Sequence, residues 1–158
     1  MTPPTPSSGA IDAIVARAGD PALDAIARLA GYIAGGSAAG VHILDEKVQH
    51  RIGGYNAPIA PHPREDSMCR LVVESGERIA TSDATEEDRF GYSSFVQGDP
   101  PGLRMYVSTP LRLGDGAVVG TLCAWDSGRV DLSDEQLAAF DDLAAIAAAV
   151  LQTPPEAA

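Results

Sequence analysis

The chain has 158 residues, 45% of them hydrophobic and 21% charged, with a formal net charge of −11. That length suits one domain around a single core, and the composition is that of a globular rather than a disordered protein. The acidity argues against phosphate-backbone binding, which needs clustered cations: the 11 Lys and Arg residues are scattered, so nucleic acid and anionic membranes are poor partners.

No apolar run approaches the roughly 18 residues that cross a bilayer. The segment Met1 to Gly9 is Pro, Thr and Ser, without the basic and apolar regions of a secretory signal. A cytoplasmic location is expected, with the 2 cysteines, Cys69 and Cys123, reduced.

Residues 1–19 read as a disordered or partly helical N-terminal tail, in which Ile11, Ile14 and Val15 allow a short helix reaching Ala18. Residues 20–152 read as the domain, and 153–158 as a second disordered tail. Asp20-Pro21 is an N-cap followed by proline at the first helical position. Leu23, Ile26, Leu29, Ala30 and Ile33 then form one stripe, giving a helix over 21–34 stopped by Gly35-Gly36.

Val41 to Leu44 and Val48 to Tyr55, joined at Asp45-Glu46-Lys47, read as a β-hairpin in which His42 and His50 could be neighbours. Asn56 to Arg64 holds Pro58, Pro61 and Pro63 and reads as a loop, not a central strand. A helix follows through Met68 to Glu74, capped by Asp66 or Ser67 and stopped by Gly76. Arg78 to Ser82 is a short strand, Thr85 to Asp88 a helical turn, and Gly91 to Leu103 a loop.

Arg104 to Leu113 and Ala117 to Asp126 are the clearest strands, turning at Gly114-Asp115-Gly116. Alternation puts Met105, Val107, Thr109 and Leu111 on one face, and Arg104, Tyr106, Ser108 and Pro110 on the other. Ser133 to Gln136 is a capping box opening a helix with the stripe Leu137, Phe140, Leu143, Ala144, Ala147, Val150 and Leu151. Antiparallel hairpins with helices gathered at the ends argue for an α+β fold.

The chain lacks a phosphate loop, a GxSxG elbow and an HExxH pair. The cysteines show no metal-ligand spacing, and the histidines have no cysteine nearby in sequence, so no metal site is expected. Cys69 falls near a helix start, where the dipole can lower a thiol pKa, whereas Cys123 reads as a small buried hydrophobe.

Four segments, in order, resemble a GAF domain. They are Ser67-Met68-Cys69; Ser82-Asp83-Ala84 with Asp88-Arg89-Phe90; Arg104-Met105-Tyr106 running to Thr109-Pro110-Leu111; and Gly120 to Asp126 ahead of Leu132 to Gln136. The resemblance covers residues 20–152. It implies a central antiparallel sheet of five to six strands, with the N- and C-terminal helices packed on one face and a loop-covered pocket on the other.

It further implies a sensory or regulatory domain that binds a small molecule and signals through a partner protein or a homodimer of terminal helices. The ligand and any cofactor are unknown, and the chain is not expected to be an enzyme. A cysteine-dependent redox enzyme of the free methionine sulfoxide reductase type and a ligand-free dimerisation scaffold are the alternatives.

Candidate ligand-binding residues are Cys69, Phe90, Tyr92, Phe95, Arg104, Tyr106, Ser108 and Asp126. Asp83 is expected to pair with Arg89, and Arg104 with Asp126 across the hairpin. An Arg left without such a partner would point to an anionic ligand.

Overall fold

Helix formation follows the caps. In the computed structural model, which describes residues 2–98 and 102–154, the Asp20 carboxylate accepts the Ala22 amide at the start of α2 (Pro21–Ala34). Gly35 ends that helix in the left-handed region, φ 66°, where a side chain would be strained. A shorter helix, α1 (Ser8–Val15), is capped by Ser7 and stops before the expected Ala18. The C-terminal helix, α5 (Asp134–Gln152), carries the reciprocal Ser133–Gln136 capping box. From residue 155 onward the expected C-terminal tail lies outside the described residues.

The strands are β1 (Ala38–Leu44), β2 (Val48–Tyr55), β3 (Pro61–Pro63), β4 (Ile79–Thr81), β5 (Met105–Arg112) and β6 (Val118–Asp126). They form one antiparallel sheet of 6 strands in the order β3-β2-β1-β6-β5-β4. The stretch expected to be all loop thus contributes an edge strand, β3. Its prolines lack amide donors and so can stand only at an edge.

The sheet separates two apolar layers. On one face, α1, α2 and α5 bury Leu23, Ile26, Phe140 and Leu151 against Val41, Ile43, Val107 and Leu122. On the other, α3 (Cys69–Ser75) and α4 (Ser94–Gln97) cover Leu44, Tyr106 and Cys123. Helix α4, capped by the Ser93 hydroxyl, lies within the stretch expected to be loop. Pro100 and Pro101 of that stretch fall outside the described residues.

A bulge in the β1–β2 ladder decides what faces the second layer. Val41 pairs with Gly53 but His42 pairs with Arg51, so Ile52 is the extra residue. Cross-strand partners share a face, which sets Arg51 beside His42 while Gly53 lies under α2. His50 stands opposite Ile43 and reaches Asp45 at 2.7 Å. The expected meeting of His42 and His50 does not occur, because adjacent residues of β1 point to opposite faces.

A Cβ on Gly53 would lie 2.8 Å from the Leu23 backbone. Gly53→Ala is therefore expected to destabilise the fold by about 1–3 kcal/mol through overpacking, measured by urea unfolding. An unchanged midpoint would show that α2 has room to move.

Candidate functional site

The second layer gathers polar side chains from three neighbouring strands. Register places His42 opposite Thr121, and Cys123 opposite both Gly40 and Ser108. Tyr106 lies two residues before Ser108 on the same face of β5. The start of α3 then brings Cys69 over them. Its Sγ is 3.1 Å from Tyr106 Oη, 3.5 Å from His42 Nδ1 and 3.9 Å from Cys123 Sγ. Gly40 makes room for the imidazole, since a Cβ there would meet His42 Nε2 at 2.8 Å.

Arg51 fixes the histidine's proton. Its Nε donates to His42 Nε2 at 2.9 Å, and because a guanidinium can only donate, that nitrogen carries a lone pair. The ring proton is thereby assigned to Nδ1, which faces Cys123 Sγ at 3.0 Å as well as Cys69. Trp125 stacks on His42 at 6.1 Å between centroids, and Arg51 lies 5.3 Å above the Trp125 ring.

The two thiols are pushed in opposite directions. Burial raises the Cys69 thiol, but hydrogen bonding from Cys123 and His42 outweighs it, and the thiol is held well below its ordinary value of 9.0. Burial, followed by the hydrogen bond and charge of Cys69, drives Cys123 up; burial, followed by the Cys69 charge, does the same to Tyr106. Cys69 is thus the thiol that ionises more readily, and Tyr106 and Cys123 hold their protons more tightly beside it. The hydroxyl oxygens of Ser108 and Thr121 are buried without a hydrogen-bond partner among the described residues.

His42, Cys69 and Cys123 offer ligand atoms within 4.8 Å of one another, a spacing suited to a metal ion. The tautomer opposes it. A coordinating imidazole gives its free nitrogen's N–H to an acceptor, and here Arg51 presents a donor at that nitrogen while the proton sits on the one a metal would need.

A cleft of about 60 Å³ opens on this cluster, bordered by Gln49, Arg51, Met68, Phe95, Leu103 and Trp125. A larger groove of about 610 Å³ under residues 2–6 has no cysteine or histidine in its wall.

Asp66 secures the cover. It accepts from the Ser94 amide at 2.8 Å and from the Ser94 hydroxyl, and reaches His62 at 2.7 Å; the His62 ring lies 4.4 Å from Phe95. The Ser67 hydroxyl donates to Gln49, and the Tyr92 hydroxyl donates to the Ser67 carbonyl at 2.7 Å.

Of the residues singled out by sequence, Cys69, Phe95 and Tyr106 border the cleft. Phe90 is fully buried and packs edge-on against Tyr106. Tyr92 stands outside as a latch on Ser67, and Ser108 lies beneath the thiols. Asp126 accepts the Gly128 amide. Arg104 is half exposed and 4.0 Å from Asp83 rather than paired with Asp126, whose β5 partner is Met105. Asp83 bonds Thr85, and Arg89 turns to Glu87 at 2.8 Å, so the expected Asp83–Arg89 pair is absent.

His42, Gln49, Arg51, Cys123 and Trp125 border the cleft too, and sequence reasoning passed them over as site residues. The available signal was the two cysteines placed on elements that face each other in such a sheet.

Sheet order and layering define an α+β fold with a small walled cleft and a thiol pair at its base. A family model described as GAF domain matches residues 17–152, and the chain belongs to the GAF domain family. It is 30% identical over 114 residues to a cyclic di-GMP phosphodiesterase of Pseudomonas aeruginosa, the match covering 72% of this chain and 19% of that protein. The chain thus spans about a fifth of that relative's length.

Among solved structures, the GAF domain of an Acinetobacter phosphoenolpyruvate-protein phosphotransferase aligns with TM-score 0.67 and 16% identity, covering 90% of each chain. The free methionine-R-sulfoxide reductase of Neisseria meningitidis, in complex with its substrate, aligns with TM-score 0.63 and 20% identity, covering 94% of this chain and 93% of that one.

These findings correct the expectation that the chain is not an enzyme. The curated relative is named for a phosphodiesterase activity, and a reductase is built on the same fold. No helix among the described residues is long and apolar enough to cross a membrane.

Because alkylation requires the thiolate, the reaction of Cys69 with a neutral alkylating agent is expected to reach half its plateau rate well below pH 9.0, with Cys123 lagging at every pH. Peptide mass mapping across pH measures it; Cys123 reacting first would reverse the assignment.

Proposed function

We propose that the domain binds a small oxidised molecule in its cleft and reduces it with the Cys69–Cys123 pair, as a sulfoxide reductase does. The observation that carries this reading is the placement of the Cys69 sulfur at the cleft, 3.9 Å from Cys123 Sγ and 3.1 Å from Tyr106 Oη. A nucleophile, a second thiol and a proton donor are what a dithiol reduction requires.

With a sulfoxide as the oxidant, its oxygen passes to Cys69 as a sulfenic acid and the thioether leaves. The Cys123 thiol then displaces that oxygen, forming the disulfide and water. Two thiol hydrogens and one sulfoxide oxygen account for the water, and an external dithiol restores the reduced pair. The sulfurs must close from 3.9 Å to about 2.05 Å. The fold shared with the reductase is compatible with this chemistry, and the local geometry supports it. The relative's phosphodiesterase activity is not carried over, because the match spans only 19% of that protein.

A homodimer is a second proposal, on a different observation. Leu29 and Tyr32 of α2 and Ile146 of α5 are exposed on the two helices that pack together over the sheet. A second copy covering them would carry the change between dithiol and disulfide to a partner protein. Sedimentation showing monomer at tens of micromolar would remove that proposal.

Mixing the reduced protein with a small sulfoxide should consume both thiols and yield one equivalent of thioether, followed by mass spectrometry. Cys69→Ser should abolish the reaction, Cys123→Ser should stop it at the sulfenic acid, and Tyr106→Phe should slow it about a hundredfold. Full activity in Cys69→Ser would end the proposal.

A further inference from the structure

From the cleft's charge we infer that Arg51 is the anchor for an anionic group, so that the small molecule taken up carries a carboxylate or an equivalent negative head beside its reactive centre. This rests on the thiol reading of the same cleft and names the class of molecule it would accept.

The chain carries 22 acidic residues, yet none borders the cleft; Arg51 is the basic side chain in its wall. No carboxylate pairs with that guanidinium among the described residues. Its Nε is committed to His42, its Nη1 donates to the Pro58 carbonyl at 3.2 Å, and its Cζ lies over the Trp125 ring, 5.3 Å from the centroid. Nη2 makes no hydrogen bond to any described residue. A guanidinium held on two sides and free on its third is a preorganised partner for an anion, because the side-chain ordering is already complete before binding.

Position supports the assignment. Arg51 hydrogen-bonds His42, whose other nitrogen faces both sulfurs, and Arg51 and both cysteines border the same cleft. The competing use of Arg51 is to hold His42 and balance the Cys69 thiolate alone. That use predicts no preference for negative reagents.

The test uses two reagents of nearly equal size, iodoacetate and iodoacetamide, on the reduced full-length chain, with Cys69 alkylation followed by peptide mass spectrometry. The ratio of the two rates cancels changes in thiol reactivity common to both. Replacing Arg51 by Gln is expected to lower the iodoacetate-to-iodoacetamide ratio about tenfold. Arg51→Lys should keep most of the ratio, and added salt should lower it in the wild type. An equal ratio in wild type and Arg51→Gln would overturn the inference while leaving the thiol reading intact.

Failure of either reagent to modify Cys69 would instead count against the thiol reading. The anion site is then decided by Trp125, the 1 tryptophan of the chain. Iodide quenching of its fluorescence, relative to acrylamide, should fall in Arg51→Gln, and an unchanged relative constant overturns the inference.

Discussion

Every residue of strand β1, from Ala38 to Leu44, is buried. Apolar residues can meet that condition anywhere, but a polar one must find partners inside the protein. Val41 and Ile43 meet it against α2 and α5. His42, on the opposite face, meets it through Arg51 at one nitrogen and the two thiols at the other. The composition of the pocket follows from satisfying this one buried imidazole in the middle of the sheet.

The same bond sets the chemical asymmetry of the cleft. With Nε2 accepting from Arg51, the Nδ1–H points at sulfur, and its environment favours a negative charge there. Once Cys69 carries that charge, Cys123 and Tyr106 are discouraged from ionising by both burial and repulsion. Two cysteines of one chemical type, 3.9 Å apart, are thus pushed in opposite directions, Cys69 toward ionising and Cys123 toward keeping its proton. Environments that push like groups apart in pKa are what separates the roles of nucleophile and proton source.

The two faces of the sheet are built for different tasks. The helix side is a continuous apolar core whose helices are fixed by caps and by close contacts such as Gly53 on Leu23. The cleft side is assembled from short pieces, α3 of 7 residues and α4 of 4. Hydrogen bonds at Asp66, Ser67 and Tyr92 tie these pieces together, beside the buried Val72 and Val96. A cover of this kind opens more cheaply than a core helix, which suits a layer that must admit a molecule and let Cys69 approach Cys123.

The sequence by itself determined the local elements of the fold. Asp20-Pro21 and Gly35 set the bounds of α2, the Ser133 capping box set the start of α5, and alternation along β5 and β6 sorted Met105 and Val107 from Tyr106 and Ser108. These signals act between residues that are neighbours in the chain, so they are legible without the fold. The side-chain pairings that failed were ones that the fold decides. A three-residue edge strand came from the proline stretch because β2 offered it a partner. Arg104 turned to Asp83, and Arg89 to Glu87, because backbone register decided which charges met. The cleft depends most on such decisions: the bulge at Ile52 sets Arg51 beside His42, β1–β6 pairing sets Gly40 opposite Cys123, and α3 closes Cys69 over Cys123 from 54 residues away in sequence. Only the tertiary structure decides such a meeting, because long-range pairing is governed by the packing of the whole sheet and leaves no mark on the residues near either cysteine.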